Sequence, residues 1–230
     1  MASSPNTEKV IAYALLVMTA VTGLVDAVSF LSLGHVFTAN MTGNIVLLAF
    51  ATAQVSGLSI ARSLTALSAF LVGAILGGRV MTRASADSQI RFAAQAFLLE
   101  VAFLFAASFC GIGFRGDLLE DSFQPFALIA LTALAMGTRN AAVRKLAIPD
   151  LTTTVLTLTF TGIGADSSIA NGNNPRLARR VEAVVAMFLG AALGAVILRY
   201  SISAALWLGT AISALCSAAL FRALRTPEKQ

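Results

Sequence analysis

Charge is scarce in this chain. Only 12% of its 230 residues are Asp, Glu, Lys or Arg, while 57% are hydrophobic. A soluble domain of this length has no interior large enough to hide that much apolar surface, so lipid must be the solvent for most of it. Cysteine is nearly absent too. Cys110 and Cys216 both lie inside apolar runs, spaced for neither metal nor redox chemistry, and read as buried thiols acting as small hydrophobes. The single histidine, His35, founds no metal site. No nucleophile elbow, phosphate-cradling glycine loop or pair of acids at a shared spacing occurs, so the expectation is a protein that is not an enzyme and needs no cofactor. The five prolines (Pro5, Pro125, Pro149, Pro175 and Pro227) all avoid the interiors of the apolar runs. The formal net charge of +5 does not point to nucleic acid, because basic excess in such a chain records which loops face the cytoplasm.

Mean hydropathy is +0.83, and candidate spans of roughly 20 mostly apolar residues are easy to place. They cover 10–33, 63–78, 92–114, 123–138, 181–198 and 202–220, the first carrying Asp26 and the third Glu100. The first run is too long for a signal-peptide core and lacks a small-residue cleavage pattern, so it is expected to be retained. Two further segments, 38–54 and 151–164, are too short to cross comfortably. Each opens on a polar cluster, Thr38, Asn40, Thr42 and Asn44 in one and Asp150, Thr152, Thr153 and Thr154 in the other. Each also follows a breaker, Gly34 or Pro149, and Asp150 is a natural N-cap.

The chain repeats itself. Around Gly23 it reads TGLVDAVSFLSLGHVFTANMTGN, and around Gly137 MGTRNAAVRKLAIPDLTTT. In that register Gly23 meets Gly137, Asp26 meets Asn140 and Thr38 meets Thr152. Later, Gly73-Ala-Ile-Leu-Gly77 matches Gly190-Ala-Ala-Leu-Gly194, small-xxx-small faces suited to close helix packing. The basic residues decide how the halves are oriented. If all eight segments cross, Lys and Arg divide nine against seven between the two sides. If the two short segments dip in and return, only Arg62, Arg115 and Arg199 stay outside, and the division becomes thirteen against three. Positive-inside statistics prefer the second arrangement. The expectation is therefore one all-α integral membrane domain over 1–230. It is a 3+3 inverted repeat (8–115 and 116–225) of six transmembrane helices plus two re-entrant half-helices, with both termini cytoplasmic.

Polar groups inside lipid are the candidate site. A helix that begins within the membrane exposes free N–H groups and the positive end of its dipole, and two such ends facing each other suit a small polar or anionic solute. Thr38, Asn40, Thr42, Asn44, Thr152, Thr153 and Thr154 would supply hydroxyl and amide partners; alternatively they only satisfy broken backbone. A charge near the bilayer centre costs at least about 2.5 kcal/mol, so one that is kept faces a cavity or a partner. Asp26 would be an ion-coupling carboxylate, with Arg139 and Asn140 as solute ligands converging on it. The other readings pair Asp26 with Arg139 as a structural bridge, or let Arg139 snorkel to the cytoplasmic face. Glu100 is a second ionisable candidate without a repeat mate, able to titrate or simply to bond a neighbouring helix.

GLVDAVSFLSLGHVFTANMTGN and DLTTTVLTLTFTG resemble the YoaK-type family of bacterial inner-membrane proteins, a family of unknown function, over nearly the whole chain. That resemblance implies a multi-span inner-membrane protein. At fold level the paired half-helices are similar to those of the large sulfate and nucleobase transporters. The reading is a small secondary transporter in the bilayer, with dimerisation through a glycine-rich face an option. The rivals are a non-transporting scaffold or regulator and a small channel.

Overall fold

In a computed structural model, which describes residues 5–82, 89–114, 116, 123–146 and 156–225, the chain is helical. The helices are α1 (Pro5–Ser32), α2 (Met41–Thr52), α3 (Ile60–Thr82), α4 (Gln89–Cys110), α5 (Phe123–Leu146), α6 (Leu156–Ala165), α7 (Leu177–Ile197) and α8 (Ile202–Arg225), with a 3₁₀ turn over Ser168–Ala170. Six are long and apolar enough to cross a membrane: Lys9–Ser32, Ile60–Thr82, Ile90–Cys110, Phe123–Leu146, Leu177–Ile197 and Ile202–Ala223. They overlap the six runs read from hydropathy; the second, fourth, fifth and sixth are longer, the first is shifted by one residue and the third ends four residues earlier. The two short helices fall where the short segments were expected. At 12 and 10 residues, α2 and α6 are about 18 and 15 Å long, against a hydrocarbon core of about 30 Å.

Glycines set the contacts of α1 with α7 and of α3 with α5. α1 and α7 run parallel in close contact: a Cβ on Gly190 would overlap the Ala20 carbonyl, one on Gly23 would overlap that of Met187, and one on Gly194 would lie 3.0 Å from the Leu24 oxygen. α5 and α3 repeat the arrangement with Gly73 against Leu134, Gly137 against Phe70 and Gly77 against Thr138. The Thr138 hydroxyl donates to the Gly73 carbonyl at 3.2 Å. The first long helix of each sequence repeat thus packs against the second long helix of the other.

Helix directions follow from the remaining contacts. α4 runs against α5, since Glu100 meets Arg139 and Cys110 meets Gln124. It also runs against α8, since Glu100 meets Ser213 and Ser108 meets Thr210. α1 runs against α8: Leu24 and Val21 flank Gly209, while Ile11, Ala14 and Leu15 share a cluster with Cys216 and Leu220. Chaining these directions makes α1 antiparallel to α3, and α5 antiparallel to α7, although a short helix intervenes in each case. Around α2 the chain also closes on itself, with His35 Nδ1 3.3 Å from the Gly57 carbonyl oxygen.

The core has two apolar layers. One gathers Val21, Val25, Val28, Leu104, Leu128 and Leu206; the other gathers Leu15, Met18, Phe97, Ala142, Val143 and Leu220. Between them lies a band of buried polar side chains. Leu71 and Ile75 on α3 and Phe188 and Leu189 on α7 are exposed, as lipid-facing positions should be.

Candidate functional site

The band is centred on Arg139 and Glu100, both with no exposed surface. Arg139 Nη2 donates to Glu100 Oε1 at 2.8 Å and Nε to Oε2 at 3.1 Å, a two-point match of guanidinium to carboxylate. The remaining donors are used as well. Nη1 reaches the Met18 carbonyl and, at 2.9 Å, the Thr22 hydroxyl, while Ser213 Oγ donates to Glu100 Oε1 at 2.9 Å. Four helices, α1, α4, α5 and α8, are joined through one ion pair. Ser108, Thr210 and Ser203 extend it along the α4–α8 seam, with Ser108 Oγ 3.0 Å from Thr210 Oγ1 and Ser203 Oγ donating to the Ser108 carbonyl at 2.8 Å.

Arg139 therefore neither bridges Asp26 nor snorkels; its partner is Glu100, and it stays only within electrostatic range of Asp26. Asn140 donates to the Met136 carbonyl one turn back at 2.8 Å.

Asp26 belongs to a second centre, where α2 begins. Asp26 Oδ1 accepts from the backbone N–H groups of Thr38 (3.2 Å) and Ala39 (3.0 Å), and Oδ2 accepts from Asn40 Nδ2. Asn40 stands at the N-cap position of α2, but its side chain turns to Asp26 and leaves the first turn without a side-chain cap. Asn44, fully buried, closes the same loop: its Oδ1 accepts from the Phe37 N–H at 2.8 Å and its Nδ2 donates to the Phe37 carbonyl. Thr42 in the first turn is exposed. The Thr38 side chain is completely buried, and its hydroxyl has no hydrogen-bond partner. A buried hydroxyl left in that state forfeits about 1–3 kcal/mol unless something else meets it.

Thr38, Asn40 and Asp26 are thus brought together, with Asn44 bracing the loop behind them and Glu100 and Arg139 forming a separate pair one layer away. Thr152, Thr153 and Thr154, with Pro149 and Asp150, lie outside the described residues. Ser213, Thr22, Ser108 and Thr210 were missed by reasoning from sequence. The available signal was spacing: Ser203, Thr210, Ser213 and Ser217 recur at three-, four- and seven-residue steps, one face of α8. Among the described residues no group of three or more His, Cys, Asp or Glu could hold a metal.

A chain with six crossing-length helices and this pair of polar centres can be set beside known proteins. Residues 14–219 match the family model described as Protein of unknown function (DUF1275). The chain belongs to that family. It is 39% identical over 155 residues to the UPF0700 transmembrane protein YoaK of Bacillus subtilis strain 168, an alignment covering 67% of this chain and 65% of that protein. No solved structure matches. The protein is thus a multi-pass membrane protein of the YoaK type, as the motif around Asp26 led us to expect.

Proposed function

We propose that this protein is a small secondary transporter of the bacterial inner membrane. Its six full spans form a 3+3 inverted repeat, α2 and α6 are re-entrant half-helices, and both termini are cytoplasmic. Antiparallel α1 and α3, and antiparallel α5 and α7, support this: a short helix that crossed fully would leave its flanking spans parallel. The His35–Gly57 contact supports it for α2, because the chain returns beside its point of departure. Arginine and lysine placement agrees.

The observation that carries the transport reading is the uncapped start of α2, set within reach of a buried carboxylate and an unsatisfied hydroxyl. Free N–H groups donate to electron-rich groups of a solute at the positive end of the helix dipole, while Asp26 accepts from its donors or takes a proton. An anionic solute would sit beside the Asp26 charge, so it would enter together with a proton on that carboxylate; a neutral hydroxyl- or amide-bearing solute needs no such partner. Asn140, Thr152, Thr153 and Thr154 would complete the site from the other half.

Two experiments test this. Reporter fusions within 82–90 should report the cytoplasm, and an external location there sinks the inverted repeat. Purified protein should gain thermal stability from some member of a panel of small anions and polar metabolites, and Asp26→Asn or Thr42→Ala should reduce that gain. A flat panel, or gains that both variants retain, removes the site.

A further inference from the structure

Outside the polar band, charge also gathers at the N-terminal end of the seam between α1 and α7. Because α1 and α7 are parallel, their N-terminal turns lie side by side, and they enclose a groove of about 290 Å³. It is lined by Lys9, Ala12, Tyr13, Leu16, Arg179 and Glu182. Two cations and one anion share it, yet no ion pair joins them among the described residues. Arg179 and Glu182 are one turn apart on α7, the spacing at which opposite charges usually find each other. Tyr13 is 68% exposed at the rim, the position that amphipathic aromatic rings take at a membrane–water boundary.

We infer that this groove holds the head group of phosphatidylethanolamine, with the phosphate on Lys9 and Arg179 and the ammonium on Glu182. The charge pattern selects that occupant. Phosphatidylglycerol would satisfy the two cations with its single phosphate but would bring no cation to Glu182. A choline head group has the right charges but no N–H to donate to the carboxylate. The ethanolamine head group answers all three charges. The groove also continues correctly for a lipid. Ala12 and Leu16 form an apolar floor, and one turn deeper Val17 on α1 and Val185 on α7 remain exposed, giving acyl chains a path along the same seam. Both helix N-termini add their positive dipole ends on the phosphate side. This inference is independent of the transport reading, since it uses neither Asp26 nor α2.

Native mass spectrometry of the detergent-purified full chain tests it, with equimolar palmitoyl-oleoyl phosphatidylethanolamine, phosphatidylcholine and phosphatidylglycerol as probes. The ethanolamine lipid should be retained over the choline lipid by about tenfold, the factor a hydrogen bond to a charged group supplies. Glu182→Gln should abolish that preference and raise phosphatidylglycerol above both, a gain that a misfolded variant would not show. Lys9→Ala/Arg179→Ala should lower all three adducts. Equal retention of the three lipids by the wild type, or an ethanolamine preference that survives Glu182→Gln, overturns the assignment.

Discussion

Arg139 and Glu100, 39 residues apart and both wholly buried, meet through two hydrogen bonds in the layer that separates the two apolar halves of the core. Removing one partner leaves the other charged in a medium without water. Arg139→Met or Glu100→Leu should each lower stability by about 3–5 kcal/mol, the cost of an orphaned buried charge. The double variant Glu100→Leu/Arg139→Met should be more stable than either single one, because it deletes both desolvation penalties. Denaturant titration in detergent gives the comparison. Additive losses in the double variant would show that the two residues are not coupled.

The glycine contacts predict a position-specific pattern. Gly23→Ala, Gly190→Ala, Gly73→Ala and Gly137→Ala each place a methyl group into the backbone of a neighbouring helix. Each should cost about 1–3 kcal/mol, as overpacking does. Gly78 is only one residue from Gly77 but has nothing within 4 Å, so Gly78→Ala should be silent. Thermal unfolding of the five variants is the measurement; a loss at Gly78 equal to the others would mean that close approach does not govern this set, because alanine is the better helix former there.

Much of this architecture was legible in the sequence, and the limits have a physical origin. Spans were legible because lipid demands a long apolar run of every crossing helix, whatever it packs against. The α1–α7 and α5–α3 pairs left a trace in the repeated glycines, since only the smallest residues let two backbones approach. The partner of Arg139 left none. Asp26 and Glu100 are both acidic residues in spans, and which one faces Arg139 depends on helix rotation and on which helices are neighbours. The role of Asn40 was also hidden: its sequence position makes it a helix cap, and only the nearness of Asp26 turns its side chain away.

The α4–α8 seam should respond modestly to loss of its hydroxyls. Ser108→Ala and Thr210→Val each remove one member of a mutual hydrogen bond, and interhelical bonds of this kind contribute about 0.6 kcal/mol in membranes. The double variant should cost little more than either alone, because the second substitution removes a hydroxyl whose interhelical partner is already gone. A double-mutant cycle in denaturant checks this, and fully additive effects would mean that the two hydroxyls act through separate contacts.

The sharpest difference should lie between Asp26→Asn and Asp26→Ala. The asparagine keeps an amide oxygen that can go on accepting the Thr38 and Ala39 N–H groups, so the loop ahead of α2 should hold its shape. The alanine removes that acceptor and strands two buried donors together with the Asn40 amide, at about 1–3 kcal/mol for each group left unsatisfied. Hydrogen exchange should therefore accelerate at 38–40 in Asp26→Ala and change little there in Asp26→Asn. Exchange at Phe37, whose N–H is held by Asn44, should be the last in the loop to rise. If both variants exchange alike, the charge of Asp26 rather than its geometry anchors α2. An unchanged loop in Asp26→Ala would instead leave α2 held by Asn44 alone. The two substitutions thus separate a carboxylate that builds the site from one that is present to carry a proton. Asp26→Asn preserves the first role and removes the second.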